Sequence, residues 1–65
     1  MNEERIYNDI RGNFVTLDFD GCDYDVSLNG FVVLTTGDET EAEIAAETLD
    51  VALAILDSQG LLNDN

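Results

Sequence analysis

A chain of 65 residues carries fifteen Asp and Glu against two Arg, with no Lys and no His, for a formal net charge of −13 at pH 7. A fold this small buries only about 60% of its unfolded surface, so it usually leans on a disulfide, a metal or a partner subunit. Cys22 is the only Cys, which excludes an intrachain disulfide and a Cys/His zinc site, and the charge repels nucleic acid and anionic membranes while attracting basic protein surfaces.

The apolar content of 45% falls in clear periods, unlike a disordered acidic tail. Met1-Asn2-Glu3-Glu4 is acidic where a signal peptide has a basic start. The longest apolar run, Val51–Leu56, is too short to cross a bilayer. A lone Cys suits a reducing compartment. The expectation is one soluble cytoplasmic domain over residues 1–65.

Residues 2–11 read as a short helix. Asn2 is placed to cap it, Glu3 and Glu4 suit its positive end, and Arg11 its negative end. Gly12 is placed for a left-handed stop. Ile6 and Ile10, four apart, would cover an edge of the core with Tyr7. The competing reading is a first strand over Ile6–Ile10, turning at Gly12-Asn13.

Three strands follow, at 14–19, 22–28 and 31–36. Asp20-Gly21 reads as a two-residue turn and Asn29-Gly30 as a second, stronger one. The first turn sets Phe19 opposite Cys22, Asp18 opposite Asp23, Leu17 opposite Tyr24, Thr16 opposite Asp25 and Val15 opposite Val26. One face then holds Val15, Leu17, Phe19, Cys22, Tyr24, Val26 and Leu28. The other holds Phe14, Thr16, Asp18, Asp23, Asp25 and Ser27. Slipping the register by one residue would mix the two sets. Phe31 and Val33 join the inner face opposite Leu28 and Val26, while Val32 and Leu34 join the outer face.

A helix over 39–59 closes the chain. Asp38 with Glu41, or Thr40 with Glu43, offers a capping box, and Gly60 ends it. Leu61 and Leu62 are expected to fold back on the core, and residues 63–65 to fray. Glu39, Glu43, Asp50 and Asp57, with Glu47 beside them, form an acidic face. Ala42, Ala45, Leu49, Ala52, Leu53 and Leu56 suit the sheet. Ile44, Val51 and Ile55, with Thr48 between, make a second apolar stripe. A helix on one sheet needs an apolar arc of about 100°, and this one has about twice that. The extra stripe calls for the N-terminal helix, the C-terminal Leu pair or a second copy of the chain, a homodimer through Ile44, Val51 and Ile55.

Catalytic chemistry is hard to build from these residues. His is absent, and Cys22 reads as a small core hydrophobe. Ser27 and Ser58 have no base in reach, and the five Gly sit singly at turns or helix ends. Asp57-Ser58 has the look of a carrier-protein attachment site, but this Ser closes a helix instead of opening one. A calcium loop fails as well. With Asp20-Gly21 at its fifth and sixth positions, Thr16 and Ser27 fall where the first Asp and the closing Glu belong. No enzyme activity, cofactor or metal is expected.

The acids remain. On strands, alternate residues lie about 6.6 Å apart and cross-strand partners about 5 Å apart. Asp18, Asp20, Asp23 and Asp25 would thus form a compact array of charge. Glu39, Glu43, Glu47 and Asp50 form a second strip on the helix. Like charges directly opposed or four apart on a helix destabilise the fold, so the two strips are the candidate binding residues. An apolar patch of Phe14, Val32 and Leu34 beside the hairpin acids would add specificity.

In size, acidity, absence of Lys and sheet-plus-helix plan, the whole chain resembles the small DNA-mimicking inhibitors that phages carry against host defence, type I anti-CRISPR proteins in particular. No motif carries the resemblance and no residue role transfers with it. It implies binding to a basic, DNA-handling surface of a host CRISPR interference complex. The expected architecture is α+β: a three-stranded antiparallel β-meander packed against one long C-terminal α-helix, with a short N-terminal helix. The expected function is stoichiometric inhibition of a basic nucleic-acid-binding protein. The alternative is a salt-adapted, acidic interaction or antitoxin-like module without DNA mimicry.

Overall fold

The structure, a computed structural model, describes residues 3–64. Four antiparallel strands form one sheet in the order β1-β2-β3-β4, and one helix packs on it. The strands are β1 (Glu3–Ile6), β2 (Val15–Phe19), β3 (Tyr24–Leu28) and β4 (Phe31–Thr36); the helix is α1 (Glu39–Ser58). The α+β class holds. The three-stranded sheet and the N-terminal helix do not.

The N-terminal correction has a local cause. Residues 3–6 are a strand on the free edge of β2, with Glu4 opposite Asp18 and Arg5 opposite Leu17. The chain returns through Arg11 (φ 56°) and Gly12 (φ 79°), two successive left-handed residues, as a tight hairpin turn requires. Ile10 and Asn13 exchange backbone hydrogen bonds of 2.8 and 2.9 Å around it, and the Gly12 N–H donates to Asp9 Oδ1 at 2.7 Å. A lone ten-residue helix is marginal in water, and an open sheet edge offers the same backbone groups better partners. The competing strand reading was nearer, although the strand lies earlier than Ile6–Ile10 and the turn falls at Arg11-Gly12. Asn2, the expected cap, lies outside the described residues.

The β2–β3 hairpin is longer at its tip than the Asp-Gly pair suggests. Val15 faces Leu28, Leu17 faces Val26, Asp18 faces Asp25 and Phe19 faces Tyr24. The register differs by two residues from the predicted one, so Asp20, Gly21, Cys22 and Asp23 form the connection. A shift of two preserves every residue's face. Val15, Leu17 and Val26 are therefore in the core as expected. Cys22 is the exception, exposed at the tip. Asp20 closes that loop, its Oδ1 accepting the Cys22 and Asp23 N–H groups at 2.9 Å each.

Asn29 (φ 52°) and Gly30 (φ 85°) make the predicted β3–β4 turn, with Leu28 opposite Phe31 and Ser27 opposite Val32. A bulge then breaks the alternation: Val26 faces Leu34, not Val33. One extra residue flips the sides of everything after it. Leu34 packs inward against the core, and Val33 is 53% exposed, the reverse of the sequence reading.

The helix packs over β2, β3 and β4. Ala42, Ala46 and Leu53 are its buried residues, and the two Ala side chains let it sit close. Asp38 Oδ1 caps it by accepting the Thr40 and Glu41 N–H groups at 2.9 and 3.3 Å. The reciprocal half of the capping box is absent, because the Asp38 N–H donates to Thr36 Oγ1 instead. At the other end the Gly60 N–H donates to Asp57 O and the Leu61 N–H to Leu56 O, at 3.0 and 2.9 Å. Gly60 has φ 70°. This is the Schellman stop anticipated at Gly60. Leu62 packs on the core, while Leu61 stays exposed.

Asn13 joins three segments and is buried. Its Nδ2 donates to Asn63 O at 2.8 Å, and its Oδ1 accepts from Asn29 Nδ2 at 3.0 Å. Asn29 Oδ1 in turn accepts the Phe14 N–H at 2.9 Å. Removing a buried partner leaves such groups unsatisfied, at about 1–3 kcal/mol. Asn13→Ala is expected to destabilise the fold by that much in urea titration, more than the exposed cap change Asp38→Ala at about 1 kcal/mol.

Candidate acidic binding surface

The face of the sheet away from α1 is built by strand alternation. Leu17 and Val26 point to the helix, so Asp18 and Asp25, one residue along, point away. Glu4 joins them, because Arg5 is the residue turned toward α1. Glu4, Asp18 and Asp25 are consecutive cross-strand partners on β1, β2 and β3, about 5 Å from one to the next. Thr35 on β4 ends the row opposite Asp25, its hydroxyl donating to Asp25 Oδ1 at 2.7 Å.

A second row runs beside it: Ile6, Thr16, Ser27 and Val32. Thr16 and Ser27 are buried in the middle, while Ile6 and Val32 are exposed at the ends. This face therefore combines a line of carboxylates with a strip of apolar and hydroxyl groups. The expected patch of Phe14, Val32 and Leu34 changes accordingly, since the bulge takes Leu34 inward and β1 adds Ile6.

The structure separates the eight acids that sequence grouped as binding residues. Asp18 and Asp25 share the outer face. Asp20 and Asp23 lie in the hairpin connection, where Asp20 holds the loop. Glu39 and Glu43 belong to an ion-pair cluster: Arg5 Nη2 meets Glu39 at 2.9 Å and Arg5 Nη1 meets Glu43 at 2.8 Å, with Glu3 at 3.6 Å. The bond that Arg5 donates to Glu43 is the main reason the Arg5 pKa is raised. Glu47 is exposed on the solvent side of α1. Asp50 is half-buried, with Oδ1 lacking a partner among the described residues. Arg11 pairs with Asp57 at 2.6 Å and Asp64 at 3.4 Å, and Asp57 is the chief cause of its raised pKa.

Glu4 is the outer-face acid that sequence reasoning missed. Its only signal was alternation in Glu3–Ile6, and a helical reading of the same residues hides that. Phe19 and Tyr24 stack on the opposite, helix-facing side with ring centroids 4.5 Å apart. Burial, followed by the charges of Glu39 and Glu3, pushes the Tyr24 hydroxyl pKa up. Among the described residues no three His, Cys, Asp or Glu side chains gather as a metal site, and no helix is long and apolar enough to cross a membrane.

Comparison with protein-family models, curated proteins and solved structures gives no match. The functional reading rests on the chain's own geometry.

Asp20 gives a pH test of the hairpin tip. The Asp23 and Cys22 N–H groups hold its carboxyl below the ordinary value of 3.8. A depressed carboxylate contributes its stabilisation above the unfolded pKa, and the contribution fades as pH falls through the folded one. Carboxyl-carbon NMR is expected to give Asp20 a midpoint under 3.8, with Cys22 and Asp23 amide shifts moving at the same midpoint.

Proposed function

We propose that the chain is a non-catalytic inhibitor that presents carboxylates in place of nucleic-acid phosphates and occupies the basic groove of a DNA- or RNA-binding protein. The observation that carries this is the Glu4–Asp18–Asp25 row. It stands on sheet strands, free of both Arg side chains, beside an apolar and hydroxyl strip. Duplex DNA presents one charge per about 3.4 Å of rise along each strand, and carboxylates about 5 Å apart approach that density. Such a face draws a basic partner by long-range attraction, and the adjoining strip supplies short-range discrimination. The resemblance to type I anti-CRISPR proteins makes a CRISPR interference complex in the host cytoplasm the first partner to try.

The wider distribution of charge supports a second reading. Glu41 and Glu47 add carboxylates on the solvent side of α1, as a salt-adapted, uniformly solvated surface would. A fold that needs molar salt for stability would favour that module over the mimic.

The test begins with capture from host lysate and elution by a salt gradient. A partner preloaded with labelled duplex is then challenged with the chain. The mimic is expected to displace the duplex. Asp18→Asn with Asp25→Asn should weaken binding by about tenfold or more, as loss of close charge pairs does. The helix control, Glu41→Gln with Glu47→Gln, removes the same charge and should change binding by less than about twofold. If duplex does not compete, or the two double variants behave alike, the outer face is not the binding surface.

A further inference from the structure

The solvent side of α1 carries a continuous stripe of exposed apolar side chains. Ile44, Val51 and Ile55 are 61%, 55% and 55% exposed. Counting from buried Ala42, these residues and Thr48 lie roughly 120–180° around the helix. The segments that sequence offered as covers are elsewhere: residues 3–6 form β1, Leu62 packs on the core and Leu61 is itself exposed. The stripe opens into a shallow groove lined by Ile44, Glu47, Thr48, Val51, Ala52 and Ile55. Its floor is small at Thr48 and Ala52, and its ridges are the three branched side chains.

We propose that this groove is a self-docking surface, in which α1 of one copy packs antiparallel on α1 of a second about a two-fold axis. Spacings of four, three and four residues from Ile44 to Ile55 are those of a coiled-coil seam, where large side chains enter holes on the facing helix. The antiparallel register follows from charge and size. Centred between Leu49 and Asp50, it sets Ile44 of one copy against Ile55 of the other, and Thr48 against Val51. Glu47 then faces Ala52, and Glu41 faces Ser58. No carboxylate on the seam meets another. A parallel pair would instead set Glu47 against Glu47 and Glu41 against Glu41, like charges in direct opposition.

The spacing also chooses this occupant: positions 44, 48, 51 and 55 are symmetric about their own centre, so the stripe is complementary to a reversed copy of itself. The seam covers about three helical turns, or some 17 Å. A contact of that length falls short of the usual 800 Å² or so per partner, so the dimer is weak and concentration-dependent. It leaves the Glu4–Asp18–Asp25 face open and stands whether or not that face binds a nucleic-acid-binding protein.

Sedimentation velocity across concentrations from about 10 µM to about 1 mM reads the association directly. The wild-type chain is expected to move from monomer to dimer. Val51→Glu should remain monomeric with an unchanged circular dichroism spectrum, and Thr48→Leu should tighten the dimer at least threefold. Two single-Cys chains, Ile44→Cys and Ile55→Cys, each in a Cys22→Ser background, report direction. On mixing and mild oxidation the antiparallel seam gives the mixed disulfide, and a parallel one gives the two homodimers. A strict monomer at the highest concentration overturns the proposal, including the case in which the groove accepts only a foreign helix. Dimerisation insensitive to Val51→Glu, predominant homodisulfides, or open-ended assembly also overturns it.

Discussion

Two guanidinium groups tie the two ends of the helix to the N-terminal segment. Arg5 reaches from β1 to Glu39 and Glu43 near the start of α1, and Arg11 reaches from the first turn to Asp57 near its end. Exposed ion pairs are individually weak, so their importance is geometric. The strip that α1 buries is narrow, chiefly Ala42, Ala46 and Leu53, and two Ala side chains alone would permit the helix to roll. Leu53, with Leu49 and Ala45 beside it, opposes that roll, and the ion pairs at both ends of one flank add to it. They also decide which acids are neutralised.

Much of the sheet was legible because strand parity survives error. The β2–β3 register was off by two residues, yet Val15, Leu17 and Val26 still fell on the buried face. Cys22 and Asp23 were misplaced, because both passed from a strand into the connection. The bulge at Val33 had the opposite effect. One inserted residue exchanged the sides of Val33 and Leu34, and nothing in Phe31–Thr36 marks it: both sides of the run are apolar, so alternation carries no information there. The helix ends were readable from Asp38 and Gly60, whose chemistry is local.

The first strand was not legible for a tertiary reason. Glu3–Ile6 becomes a strand because β2 offers an unpaired edge, and that edge exists only once the rest of the sheet has formed. The turn that permits it uses Arg11 in a left-handed conformation where Asn or Gly would be usual, so the familiar turn pair is missing from the sequence. With β1 in place, Glu4 enters the outer face and Glu39 and Glu43 acquire a cation. The candidate site was therefore half visible: Asp18 and Asp25 could be read from alternation within their own strands, whereas the division of acids into free and paired depended on where two Arg side chains landed.

The placement of charge makes the two proposed surfaces compatible. Acids on the sheet's outer face lie one full layer from α1, and the seam lies on the far side of α1 from that layer. In an antiparallel helix pair, three interlayer gaps of about 10 Å separate one acidic sheet face from the other. That distance of roughly 30 Å is several times the Debye length of about 8 Å at physiological ionic strength. The sheet-face carboxylates of one copy therefore barely oppose those of the second, despite a formal charge of −13 on each. Repulsion is left to the few acids bordering the seam, and the antiparallel register sets those against uncharged residues. A chain this acidic can self-associate only where its carboxylates are held away from the contact, and the clamped helix provides one such face.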